Sequence, residues 1–405
     1  MPECRICGGA VQRFFDFGRQ PVSNAFPTPE ELDREHFYRL AVGVCAACTM
    51  VQQFEEVARE QMFPGEYPYR SSGSSVMREH FERTARHFLA TELGGDDPFY
   101  VEVGCNDGIM LGTVRAAGVR HLGVDPAEAA TGVAAADGAR VRVAFFEEST
   151  AREVRAAEGP ARLIFSANTI SHIAYIDSVF AGAHALLEEG GIFVFEDRYL
   201  GDIVEHASFD QIYDEHFYLF SVRSVHAMAE RFGFELVDVE HLSVHGGAMR
   251  YTTARAGERT PTAAVAEWLE RERTRGLAEA PVYERFAARI ESNCRELTAL
   301  LTKLKAEGRR VVGYGATSKS ATVVNYCGIG PDLVPYVVDS TPQKQGRVTP
   351  GSHIPVRPSA DFAADYPEYA LLFAWNHAEE IMAKEQEFRA RGGKWILYVP
   401  DVHVV

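Results

Sequence analysis

The sequence has no apolar run long enough to cross a membrane. Its longest, such as Tyr369 to Trp375, are strand-length, against the roughly 20 residues a span needs. It opens MPECRICGG, with neither a basic n-region nor an apolar h-region, so no secretory leader and a cytoplasmic location are expected. Basic residues are outnumbered: 41 Lys and Arg against 57 Asp and Glu leave a formal charge of −16. Nucleic acid binding needs a basic face to displace counterions, so no nucleic acid partner is expected. Disorder-prone composition is missing too, with 46% hydrophobic and 24% charged residues. Cysteine is sparse, seven in 405 residues, and reads poorly as a disulfide framework. A chain of this length exceeds one ordinary core, which implies two or three domains.

Four of the cysteines are nevertheless grouped. Cys4-x2-Cys7 and Cys45-x2-Cys48 form two knuckles separated by 37 residues. Each knuckle lets two thiolates face one tetrahedral ion, and two knuckles close a Cys4 shell with no open position. The expected occupant is a structural zinc. Neither pair sits at a strand-to-helix junction, as a redox CxxC would. Cys105, Cys294 and Cys327 are scattered and read as structural thiols.

From Phe99 to Glu196 the strands FYVEV, HLGV, RVRVA, RLIFSA and GIFVFE alternate with helical stretches, the pattern of a parallel sheet with crossover helices. Helical spacing over Val76–Leu93 precedes them, after a Pro/Ser/Gly stretch around Tyr67–Ser75 that reads as an exposed connection. An aromatic-rich insert, Arg198 to about Ser221, follows. Two strands of an antiparallel edge, helices over 262–308 and a second alternating pattern from Arg309 complete the chain. The expected class is α/β: a zinc-binding module (1–66), a Rossmann-like domain (67–255) and a second, C-terminal Rossmann-like domain with a helical lead-in (256–405).

The first strand runs into Gly104-Cys105-Asn106-Asp107-Gly108, where glycines let backbone approach a ligand. Dinucleotide binders carry GxGxxG here. Asp107 would repel a pyrophosphate but suits a cofactor bearing an ammonium and a sulfonium. Asp125-Pro126 ends the next strand, where a carboxylate can accept ribose hydroxyls. Phe145 and Phe146 follow the third strand and could sandwich an adenine; Asn168 follows the fourth. On successive strand ends these residues resemble the class I S-adenosylmethionine (SAM) methyltransferases. The segment SANTISHI lacks the N/D-P-P-aromatic pattern of enzymes that methylate nucleic acid amines.

Tyr213, Glu215 and His216 in the insert, with His172 on the fourth strand's exit and Tyr67 upstream, suggest a pocket wall of titratable groups. Carbon methylation needs a base near neutrality and donors for a developing enolate oxygen. Histidine fits the first role; Tyr or a second His fits the other. Further on, Tyr314-Gly315-Ala316-Thr317-Ser318-Lys319 is a strand, glycine turn and helix start, a geometry that cradles phosphate. Ser318 replaces the third glycine of a dinucleotide fingerprint, yet Asp339 follows Gly315 by 24 residues. An NAD-dependent sugar oxidoreductase therefore remains a rival reading at this point, and a non-enzymatic zinc scaffold a second. Lys319 and Lys344 can supply cations for an anionic ligand.

The cysteine pairs, YPYRSSGSS, EVGCNDG, SANTISHI, FDQIYDEHFYLFS, HGGAMRY and GYGATSKSATVVN occur in order along nearly the whole chain. Together they resemble the sugar C-methyltransferases of bacterial deoxysugar biosynthesis, with the closest likeness to those methylating carbon 3 of dTDP-3-amino-2,3,6-trideoxy-4-keto-hexoses in antibiotic pathways. The resemblance implies SAM and structural zinc as cofactors and a dTDP-linked 4-keto deoxysugar as substrate. It implies His216 as the base, with His172, Tyr213, Glu215 and Tyr67 in the same pocket. Tyr314, Gly315, Thr317, Lys319, Asn325 and Lys344 would hold the nucleotide sugar. Nothing in it calls for more than a monomer.

Overall fold

A computed structural model describes residues 2–62 and 70–405. The first sheet is antiparallel: β1 (Val11–Pro21), β2 (Phe37–Cys45) and β3 (Val51–Gln53), with a fourth strand, Tyr218–Leu219, supplied from far down the chain. The insert thus completes the sheet of the N-terminal module. β1 and β2 alternate buried and exposed residues along part of their length, and their apolar face packs into a cluster shared with the C-terminal region.

The second sheet has seven strands. They are β4 (Phe99–Val103), β5 (Arg120–Asp125), β6 (Val141–Val143), β7 (Ala161–Ala167), β8 (Leu187–Arg198), β10 (Phe234–Leu242) and β11 (Ala248–Arg255), Tyr218–Leu219 being β9. The order is β6-β5-β4-β7-β8-β11-β10, parallel through β8 and antiparallel at the last two. Strands such as β4 and β7 are buried almost throughout because helices cover both faces, so their sequences read as continuous apolar runs. The order reverses between β4 and β7, opening a crevice beyond their carboxyl ends.

The third sheet repeats the device. β12 (Val311–Tyr314), β13 (Val337–Asp339), β14 (Val356–Pro358), β15 (Tyr369–Leu372) and β16 (Lys394–Leu397) are parallel, and β17 (His403–Val404) closes the edge antiparallel. Its order, β14-β13-β12-β15-β16-β17, reverses between β12 and β15. The long helix Ala280–Ala306 leads into it and buries Val282, Phe286, Ile290, Leu297 and Leu301. Cys294 on that helix and Cys327, expected as separate thiols, form a disulfide, their Cα atoms 5.2 Å apart. No helix among the described residues is long and apolar enough to cross a membrane.

Candidate active site

The cysteine knuckles converge. The Sγ atoms of Cys4, Cys7, Cys45 and Cys48 all lie within 4.8 Å of one another, with Cys4–Cys48 at 3.6 Å and Cys7–Cys45 at 3.5 Å. Sulfurs about 2.3 Å from a tetrahedral zinc stand about 3.8 Å apart, so the four fit the ion. The backbone N–H groups of Ile6 and Ala47 point at Cys4 and Cys45 Sγ, each at 3.4 Å. Gly9 packs closely on the cluster: a Cβ there would stand 3.1 Å from Cys45 Sγ and 3.3 Å from Cys7 Sγ. Four thiolates complete a tetrahedral shell and leave no open position, so the zinc they fit is structural.

The two sheets turn their switch points toward one cavity of about 680 Å³. Gly104, Asn106, Asp125, Pro126, Phe145, Phe146 and Asn168 line one end. Gly104 adopts φ +72°, and a Cβ on it would lie 2.1 Å from Thr169 Oγ1. Asp125 accepts from Asn106 N at 2.9 Å and Ala127 N at 2.8 Å, which fixes its carboxylate at the strand end; burial raises its pKa. Asp107 and Gly108 stand behind this wall. Asp107 Oδ2 accepts from Ser72 N at 3.1 Å, and Gly108 caps the helix Ile109–Ala116 at φ +78°. Asn106 Oδ1 accepts from Ser71 N in the same way. The connection is exposed at Ser72, Gly73 and Ser75, as expected, and it also hydrogen-bonds to the glycine turn, so that Arg70, Ser71, Gly73 and Ser74 line the cavity. Tyr67 lies outside the described residues. Arg59 stacks over Phe145 at 4.2 Å and Tyr175 at 5.1 Å, a cationic lid for an aromatic slot. A carboxylate at the ribose position, a flat aromatic wall and a Cβ-free turn together fit SAM.

The insert crosses the middle of the cavity and is held from three directions. From the first sheet, Gln53 Nε2 donates to the carbonyls of Tyr213 and His216, Ser23 N to Asp214 Oδ1 at 3.0 Å, and Asn24 Nδ2 to Glu215 Oε1 at 2.6 Å. From the third sheet, Thr322 Oγ1 donates to Ile212 O at 2.7 Å, and Trp375 Nε1 and Tyr398 Oη both donate to Asp210 Oδ2. From the second, Gln211 Nε2 donates to His245 O at 3.2 Å. A segment that reads as polar in sequence is almost wholly buried, each carboxylate matched to a donor.

Tyr213, Glu215 and His172 line the cavity; His216 stands immediately behind them. Its Nδ1 is 2.6 Å from the Gln211 carbonyl, which fixes the proton on that nitrogen. Nε2 is left as acceptor, 3.1 Å from the Tyr213 hydroxyl. The His172 ring is 5.2 Å away, centre to centre. Burial, and then the Arg198 guanidinium, lower the pKa of His172 to about 3 and that of His216 well below the ordinary imidazole value. Both rings are neutral at pH 7.

At the other end Thr317, Ser318, Lys319, Ser340, Thr341, Lys344, Asn376 and His377 line the cavity. Lys319 Nζ donates to Asn376 Oδ1 at 2.6 Å, lies 3.7 Å from Asp210 Oδ2 and sits over the Trp375 ring; burial lowers its pKa to about 8. Lys344 Nζ donates to Ala316 O at 2.8 Å. The first part of the backbone cradle expected after β12 is internally occupied: Gly315 N bonds Val338 O, Ala316 N bonds Asp339 Oδ2 and Thr317 N bonds Gly315 O. Gly315 thus shapes the turn without facing the cavity. Tyr314 points into the sheet's far core, with its hydroxyl on Glu385 and its ring against Phe362 and Trp395. Asn325 also turns away, donating to Ala321 O and Pro350 O. Sequence reasoning missed Asn24, Arg59, Arg198, Gln211, His245, Asn376 and His377. Only Arg198 carried a readable signal, as the residue ending a strand of the parallel set.

A switch-point cavity built on a SAM-type glycine turn, in a chain that also folds a Cys4 zinc module, defines a zinc-containing, SAM-dependent methyltransferase. Residues 4–63 match a zinc binding domain, 77–239 a methyltransferase domain and 243–400 the C-methyltransferase C-terminal domain. The chain is 34% identical over 408 residues to C-methyltransferase NovU of Streptomyces niveus, covering 100% of this chain and 96% of that one. It belongs to that C-methyltransferase family. Among solved structures, magnesium protoporphyrin IX methyltransferase (ChlM) from Synechocystis PCC 6803 with bound SAM is 11% identical, covers 44% of this chain and 79% of its own, and gives a TM-score of 0.33. PH0226 protein from Pyrococcus horikoshii OT3 is 14% identical, covers 48% and 97%, and gives 0.37.

Proposed function

We propose that this C-methyltransferase methylates carbon 3 of a dTDP-linked 4-keto deoxysugar, with a 3-amino-2,3,6-trideoxy-4-keto-hexose as the leading substrate. The observation that carries the reading is the single cavity shared by two switch points, with the Tyr213–His216 pair between them. One end suits SAM. The other offers Lys319 and Lys344, the charge complement of a pyrophosphate.

Bound SAM supplies an electrophilic methyl on its sulfonium. His216 is the base, and it reaches the sugar through Tyr213. The tautomer set by Gln211 leaves Nε2 ready to receive the Tyr213 proton as that hydroxyl takes the one on carbon 3. Acidity of that proton comes from the neighbouring ketone. Asn24 holds Glu215 against the same wall, where its carboxylate can receive the 3-amino group. A buried, neutral imidazole remains a base at pH values where a free one is protonated.

The test is incubation of the protein with SAM and a panel of dTDP-4-ketosugars, with mass spectrometry and NMR of the products. A methyl group at carbon 3 supports the reading; methylation only at carbon 5, or at no sugar, overturns it. His216→Ala should lose about 100-fold or more in turnover, the range of general-base action, while still binding S-adenosylhomocysteine. Near-normal turnover removes the base assignment.

A further inference from the structure

Among the described residues no carboxylate is ion-paired with Arg198, a cation of the cavity wall. Arg198 ends β8, at the same sheet edge as Asn168 and His172, and lines the cavity. Its Nη1 donates to Asn168 Oδ1, and its Nε is buried without a partner. Lys319, by contrast, lies 3.7 Å from Asp210, and Lys344 feels Asp339 and Glu215. Asp197, next to Arg198 in the chain, is turned to the N–H and hydroxyl of Ser171. Around the guanidinium stand three buried imidazoles, His172, His216 and His245, all kept neutral first by burial and then by the guanidinium itself. A half-buried guanidinium with its Nε unpartnered, beside three neutral imidazoles and with Asp197 acting on it only through space, is poised for a transient anion.

We propose that Arg198 is a catalytic residue whose guanidinium donates to the substrate ketone oxygen and holds the negative charge that gathers there on deprotonation. The assignment rests on the carbon-methylation reading above. In the first step the carbon–hydrogen bond beside the ketone breaks and its proton passes to the Tyr213–His216 pair. The freed electron pair forms a carbon–carbon double bond, and the carbonyl pair moves onto oxygen, where Arg198 receives it. In the second step the oxygen pair re-forms the carbonyl and the carbon takes the methyl. The sulfur–methyl bond breaks, and S-adenosylhomocysteine leaves. Arginine suits this duty because it stays charged and donates without giving up its proton, so the enolate is stabilised and not quenched. Asn168 aims it: at φ +52° its backbone N–H is fixed on Glu196 O, which presents Oδ1 to Nη1.

Enolate formation can be read without methyl transfer. The native protein is incubated with a dTDP-linked 4-keto deoxysugar and S-adenosylhomocysteine in deuterium oxide, and NMR follows loss of the proton beside the ketone. Arg198→Gln should slow this exchange by about 100-fold or more, the usual effect of removing one oxyanion donor. Its melting temperature and S-adenosylhomocysteine affinity (within threefold, by calorimetry) should hold. Arg198→Lys, which keeps a charge but loses the planar fork, should fall between the two. If Arg198→Gln does not fold, the lysine variant decides: exchange as fast as native overturns the proposal. Unchanged exchange in the glutamine variant overturns it too, as does a loss explained by weakened S-adenosylhomocysteine binding, which would make Arg198 a support for Asn168. A native protein that exchanges no proton on any such sugar removes the substrate reading and this proposal with it.

Discussion

Asp125 and Asp339 stand at corresponding places in two unrelated stretches of sequence. Each ends the second strand of a parallel sheet. Each accepts from the glycine turn after the first strand, Asn106 N at 2.9 Å in one case and Ala316 N at 2.7 Å in the other, and from its own chain two residues on. Both glycine turns use a left-handed residue, Gly104 at φ +72° and Gly315 at φ +84°. The surroundings differ. Beside the first turn stands Asp107; beside the second stand Lys319 and Lys344. The backbone device is thus indifferent to what it binds. Side-chain charge makes one turn a seat for a cationic cofactor and the other the proposed seat of an anionic nucleotide.

That comparison breaks most visibly at Asp125. Asp125→Ala removes the carboxylate from the ribose position and should weaken S-adenosylhomocysteine by about 100-fold, the scale of two hydrogen bonds to a charged group, while dTDP binding stays within threefold. Calorimetry with each ligand separately reads both. Equal losses would mean that the two ends act as one site. The converse change is smaller. Lys319→Met should weaken dTDP by about tenfold, one charge-assisted contact, and leave S-adenosylhomocysteine unaffected. Adding 0.5 M salt should also weaken dTDP by a few-fold, and S-adenosylhomocysteine less, because screening acts on the anion.

How much of this was legible follows from distance along the chain. The cysteine knuckles, Gly104, Asp125, the phenylalanine pair and the alternating strands are local patterns, and each lies where its spacing implied. The Tyr213–His216 cluster was visible as a group, but which member faces the cavity depends on Gln211 and on the sheet around it. Asn24 meets Glu215 across 191 positions, and Cys294 meets Cys327 across 33 with no motif to mark the pair. Tyr314 misled for a simpler reason. Successive strand residues face opposite sides of a sheet, and a motif read as a string assigns all of them to the ligand. The cradle after β12 was legible only in part, because a turn's N–H groups are available only if the protein has not already bonded them, as it has at Gly315, Ala316 and Thr317.

The histidines between the two turns give the smallest expected effect and the most pointed one. A free imidazole with a pKa near 6.5 would lose about tenfold of its basic form between pH 7 and 5.5. His172, lowered to about 3, and His216, lowered well below its ordinary value, stay neutral across that window. Turnover at saturating substrate should therefore change by less than about threefold over it, whereas an exposed base would follow the full drop. Stability should move the other way. Below pH 6.5 the unfolded chain protonates these histidines and the native one does not, so the unfolded state binds more protons and melting temperature falls as pH falls. His172→Asn should flatten that slope. A turnover profile with a midpoint near 6.5 would show that the proposed base is open to water, and that the wall between the two turns is not closed.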